Sequence, residues 1–141
     1  MMNAAVEEAR SFGESAPMLI GVSVLTSLDQ HVLTDHLGVQ RELTDHMAYL
    51  SKLATDCGLD GVVCSPGEVK IIRSAIGHTG VIVTPGIRLP NTEVHDQMRV
   101  GDPSQALSDG ADYLVVGRAL TSCENLDDVL AHFSAITTGA T

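Results

Sequence analysis

Four short runs of apolar, largely β-branched residues, each followed by a helical stretch with its own start signal, limit this chain more than any other feature. The runs fall at 18–25, 61–64, 81–84 and 112–116. The first is almost continuously apolar, the pattern of a strand buried on both faces. Strands that alternate with helices in this way form a parallel sheet with right-handed crossovers. Four such units make half of a (β/α)8 barrel or a small open sheet. In either architecture ligands bind at the carboxyl ends of the strands.

The helices follow from spacing and caps. Asn3 is placed to cap a first helix whose Val6, Ala9 and Phe12 share a face, with Gly13 as the stop. Ser27 and Gln30 have capping-box spacing, and 31–41 is polar and mixed, an irregular helix or loop. A clearer helix starts at Thr44 and runs through Met47, Leu50 and Ala54 to Gly58. Ser65-Pro66-Gly67-Glu68 is a second capping box, opening a helix along Val69, Ile72 and Ile76. Asp102-Pro103 caps a short helix that stops at Gly110, and Thr121 with Glu124 is expected to cap a last one along Leu126, Val129, Leu130 and Phe133. The small residues 137–141 suggest a disordered tail. By length, 1–141 is one domain. A motif recurs at 57–63 and 109–115: helix end, Gly, one residue, Asp, strand. It fits either convergent αβ-loop chemistry or a repeated barrel unit.

The net charge of -10 argues against a nucleic-acid or membrane-surface role, both of which need a basic face. An anion must be gripped locally by some of eight Lys and Arg. Cys57, Cys64 and Cys123 have neither disulfide-framework nor zinc spacing and are expected to be free thiols in a reducing cytosol. No run is long enough to span a membrane, and the first residues lack the pattern of a secretory signal, so a cytoplasmic location is expected. The six histidines show no metal-ligand spacing. Nucleophile-elbow, Walker A and dinucleotide fingerprints are missing, and Lys52 and Lys70 fall in helices away from the strand ends.

The informative stretch is 81–118. Its two strands each end in a glycine close to an arginine, Gly86 with Arg88 and Gly117 with Arg118. Glycine lets a backbone N–H approach an anion, and the guanidinium adds a bidentate partner. The two ends converge if the strands are parallel neighbours. A loop of about sixteen residues between them, long for a βα connection, contains Gln97, which with Arg88 can fold over a ligand. Thr26, at the end of the first strand, can donate to one.

Val-Thr-Pro-Gly-Ile-Arg at 83–88, Asp-Gln-x-Arg at 96–99 and Gly-Ala-Asp-Tyr-Leu-Val-Val-Gly-Arg at 110–118 resemble the C-terminal signature of the orotidine 5'-phosphate decarboxylase family. Residues 24–27 and 57–65 are similar to its bacterial branch, and the likeness covers nearly the whole chain. The resemblance implies strands 5 to 8 of a TIM (β/α)8 barrel, a half-domain. The family converts orotidine 5'-monophosphate to UMP and CO2 in pyrimidine biosynthesis, with neither metal nor cofactor, as a homodimer.

By the same resemblance Arg118 and the Gly117 amide hold the 5'-phosphate, Gln97 and Arg88 help from the mobile loop, and Thr26 lies near the pyrimidine. The family's catalytic Asp-x-Lys-x-x-Asp array is not in this sequence. The chain alone is therefore expected to be inactive. The implied partners are a nucleotide and either a second copy or a complementary half-barrel. The alternative is a non-catalytic nucleotide-phosphate binder or a degenerate half-barrel.

Overall fold

A computed structural model describes residues 1–88 and 101–138. In chain order the elements are α1 (Met2–Arg10), β1 (Ile20–Val22), α2 (Leu43–Asp56), β2 (Gly61–Val63), α3 (Val69–Ile76), β3 (Val81–Thr84), α4 (Pro103–Ser108), β4 (Tyr113–Leu114), α5 (Arg118–Thr121) and α6 (Leu126–Thr138). The strands form one parallel sheet in the order β1-β2-β3-β4. This is the expected half of an eight-stranded barrel.

Register assigns the two faces. Gly21, Val62 and Ile82 make one transverse row. Val62 and Ile82 are fully buried, and a Cβ on Gly21 would meet the side chains of Leu59 and Ala54 on the helix side. Alternation turns the next row, Val22, Val63, Val83 and Tyr113, to the opposite face. There Val22 is 59% and Tyr113 57% exposed. The core lies between sheet and helices, with Met47, Ala54, Val69, Ile72 and Ala106 packed on Val62, Cys64 and Ile82.

The recurrent Gly-x-Asp motif closes the amino ends of the strands. Asp60 N–H donates to Leu19 O at 2.9 Å, and its carboxylate accepts Leu19 N–H at 2.6 Å. Asp112 repeats this on Ile82, at 3.0 and 2.7 Å. The glycines before them, Gly58 and Gly110, adopt φ of 93° and 108°, so the helix can end and the aspartate arrive within two residues. Arg73, its side chain 12% exposed, secures the second copy of the motif. It donates to the carbonyls of Gly77, Gly80 and Gly110 and meets Asp112 Oδ2 at 2.6 Å.

Several local expectations are corrected. The first strand covers Ile20–Val22 rather than 18–25, because a turn from Leu25 to Leu28 takes over soon after Ser23 makes its last ladder bond to Val63. Thr26 therefore sits in a turn past the strand and does not end it. The fourth strand likewise ends at Leu114, although Val115 still donates to Thr84. Asn3 lies inside α1, whose cap is Met1 and which ends before Gly13. Asp29, not Ser27, accepts the free N–H of Val32, and the segment after it winds as a π-helix over Val32–His36. Asn125, not Thr121, starts α6 through a paired contact with Asp128, since Thr121 belongs to α5. The last helix continues to Thr138. The starts at Ser65 and Asp102 are as expected: Ser65 N–H donates to the Glu68 carboxylate at 3.0 Å, and Gln105 N–H to Asp102 at 3.0 Å.

Candidate functional site

The carboxyl ends of β3 and β4 lie side by side. Thr84 pairs with Leu114, and Val115 N–H donates to Thr84 O at 2.9 Å. The chain therefore leaves both strands along the same edge of the sheet.

After β3 the chain turns at Gly86, where a φ of 79° favours glycine, and buries Ile87 completely. Arg88 is half-buried, with Nη1 donating to Ile87 O at 2.8 Å. The long loop returns at Gly101, whose N–H donates to Gly86 O at 3.2 Å and whose carbonyl accepts Arg88 N–H at 3.1 Å. Both ends of the loop are thus tied at one place. A Cβ on Gly101 would come within 2.5 Å of Pro66 Cβ, so this base rests on the turn that follows β2.

After β4, the Gly117 carbonyl accepts the N–H groups of Leu120 and Thr121 at 2.8 and 3.1 Å, which forms the single turn of α5. Arg118 is its first residue and is exposed. A Cβ placed on Gly117 would meet nothing within 4 Å.

Gly86, Arg88, Gly117 and Arg118 are therefore carried by adjacent strand ends. Thr26 is carried by β1, at the other edge of the sheet. Near it, an apolar hollow of about 300 Å³ opens between the end of β1 and the π-helix, lined by Val22, Val24, Leu28, Leu33, Leu37 and His46. Gln97 falls outside the described residues. Lys52 and Lys70 lie exposed on the outer helices, Lys52 2.9 Å from Asp56.

Behind the strand ends, burial, reinforced by the charge of Glu68, pushes the Cys64 thiol up from its ordinary value near 9 to about 12. The neighbouring Thr84 hydroxyl and the charge of Arg73 only partly oppose this. Cys64 is thus an inert core thiol. Among the described residues no group of three or more His, Cys, Asp or Glu is arranged to hold a metal, and no helix is long and apolar enough to cross a membrane.

Two residues that matter to this framework were not singled out from sequence. Arg73 occupies the i+4 position of the apolar stripe begun by Val69, where a charge signals a buried partner. Gly101 stands directly before the Asp102 cap, a place where only close backbone packing calls for glycine.

The sequence model of the orotidine 5'-phosphate decarboxylase / HUMPS family matches residues 1–132. A relative from Legionella pneumophila (strain Corby), named orotidine 5'-phosphate decarboxylase, is 44% identical over 131 residues, which are 93% of this chain and 57% of that protein. One of the same name from Moorella thermoacetica is 47% identical over 116 residues, 82% of this chain and 46% of its own. The crystal structure of orotidine 5'-phosphate decarboxylase from Lactobacillus acidophilus superposes with a TM-score of 0.77 at 31% identity, covering 98% of this chain and 57% of that one. The chain spans about half the length of the relatives it matches. On this evidence it belongs to the orotidine 5'-phosphate decarboxylase / HUMPS family.

Proposed function

We propose that this chain is the phosphate-gripping half of an orotidine 5'-phosphate decarboxylase and that, by itself, it binds nucleotide without decarboxylating it. The observation that carries this reading is the adjacency of the two glycine-arginine strand ends on β3 and β4. Open space at Gly117 gives an anion room to reach the backbone, and Arg118 beside it supplies a charge-assisted partner. Arg88 stands at the tied base of the loop that carries Gln97, so a loop folding over the ligand would bring both to the phosphate and exclude water. Thr26 follows Leu25, a lining residue of the apolar hollow, which suits it to the pyrimidine end of a nucleotide.

A phosphate remote from the reacting bond supplies binding energy that an enzyme uses in the transition state. Carbon-carbon cleavage also needs a group to protonate the carbanion. The only lysines here are Lys52 and Lys70, both on outer helices, which favours a binding role for the isolated chain. The ligand is orotidine 5'-monophosphate or UMP, in a cytoplasmic setting.

The test is thermal denaturation with UMP. We expect a stabilisation in the native sequence that Arg118→Ala removes, and no turnover of orotidine 5'-monophosphate. A UMP shift that survives Arg118→Ala, or turnover lost on replacing Lys52 or Lys70, overturns the reading.

A further inference from the structure

The helices cover one face of the sheet and leave the other bare. On the bare face Val22, Val63, Val83 and Tyr113 stand in one transverse row, with Ile20 and Val115 in line with them on the two edge strands. Exposure is concentrated at the edges: Val22 on β1 and Tyr113 on β4 are each more than half exposed, whereas Val63 and Val83 between them are half-buried. None of these six side chains is charged, although the chain carries a net charge of -10. Both edges also keep open backbone groups. Leu19 and Ser23 direct their N–H groups to β2, so alternation turns those of Ile20 and Val22 outward.

We propose that the bare face takes a second copy of this chain, related by a twofold axis along the axis of the closed barrel, to which the strands are tilted. β4 of each copy then pairs in parallel with β1 of the other, closing a four-plus-four barrel. The proposal rests on the half-barrel fold, not on nucleotide binding.

A single twofold operation satisfies both open edges at once and leaves none over. It also gives eight strands, the number whose interior side chains just fill. Barrel interiors stack in layers of four side chains from alternate strands. The sheet face alone, four strands of two to four residues, is roughly 200 Å², short of the ~800 Å² per partner of a standard interface. The two edges and the exposed Leu126 and Leu130 of α6 extend it, because the helix after β4 belongs over the junction with the next strand. The like charges of the two copies lie elsewhere than on these six positions, so they do not oppose contact at the face.

Sedimentation of the full chain from 1 to 100 μM, with amide exchange read at Ile20 and Val22, tests this. We expect a species of twice the 14.8 kDa chain mass, with both amides protected. Tyr113→Lys, at a position exposed in the single chain, is expected to give a folded monomer in which both amides exchange freely. Val22→Lys should act alike if Tyr113→Lys fails to fold. A native monomer at 100 μM, an open-ended series of larger species, or a dimer with unprotected Ile20 and Val22 each overturns the proposal. Loss of the UMP shift with the dimer intact would remove only the nucleotide reading.

Discussion

The two ends of the strands obey different rules. At the amino ends the groups that close the strands are engaged: two aspartates close the ladder in the same way, and Arg73 meets three carbonyls and a carboxylate. At the carboxyl ends of β3 and β4, glycines, a long loop and exposed Arg118 leave surface available. Two glycines show the contrast. A Cβ on Gly61, at the start of β2, would lie 2.0 Å from the Val81 carbonyl oxygen, whereas one on Gly117 would meet nothing. The first glycine serves the chain's own packing, and the second leaves space for something else. In barrel enzymes this separation lets stability and chemistry change independently.

The sharpest way to break the comparison is Gly61→Ala. It should cost more than about 4 kcal/mol, because backbone and not a flexible side chain blocks the methyl. Denaturant unfolding that finds the variant near native stability would show that the amino ends are looser than described. Arg73→Ala is expected to cost about 3 kcal/mol, less than a fully buried pair would because Asp112 is partly exposed. Arg73→Lys should recover little, since one ammonium cannot reach all four acceptors.

A third effect, whose size is set by pH, lies behind the strand ends. With its folded pKa raised, the Cys64 thiol stays protonated in the native state after it has ionised in the unfolded chain. Its contribution is complete below pH 9 and is lost as pH rises from 9 toward about 12, at roughly 1.4 kcal/mol per pH unit. Cys64→Ala should lower stability at neutral pH through its cavity but flatten that alkaline slope, which pH-dependent unfolding would reveal. The smallest effect on stability belongs to Arg118→Ala, within about 0.5 kcal/mol. Only the UMP-induced shift should disappear. A large loss of stability there would erase the distinction between the two ends.

Much of this division was legible in the sequence. β-Branched runs marked all four strands, and Ser65 and Asp102 marked two helix starts, because each of these signals is local. The strand lengths were not legible, since Val24 and Val116 are as apolar as strand residues yet the chain has already left the ladder when it reaches them. The π-helix at Val32–His36 was hidden by its polar mixture, and the start of α6 was misplaced because α5 takes Thr121 first. Arg73 escaped notice because its partners lie as far as 39 residues away and become neighbours only once β3 and β4 pair. The glycine-arginine pairs were visible as residues. Their adjacency needed the parallel register of Thr84 with Leu114.

The order β1-β2-β3-β4 matches the order of synthesis. Each strand emerging from the ribosome finds the edge of its predecessor already waiting, and no early strand must stay unpaired until a distant one arrives. Growth by accretion of this kind keeps each strand pairing between neighbouring βα units, such as the 41 residues from Leu19 to Asp60, rather than across the whole chain. It also means that elongation can pause after any βα pair with every earlier strand already docked.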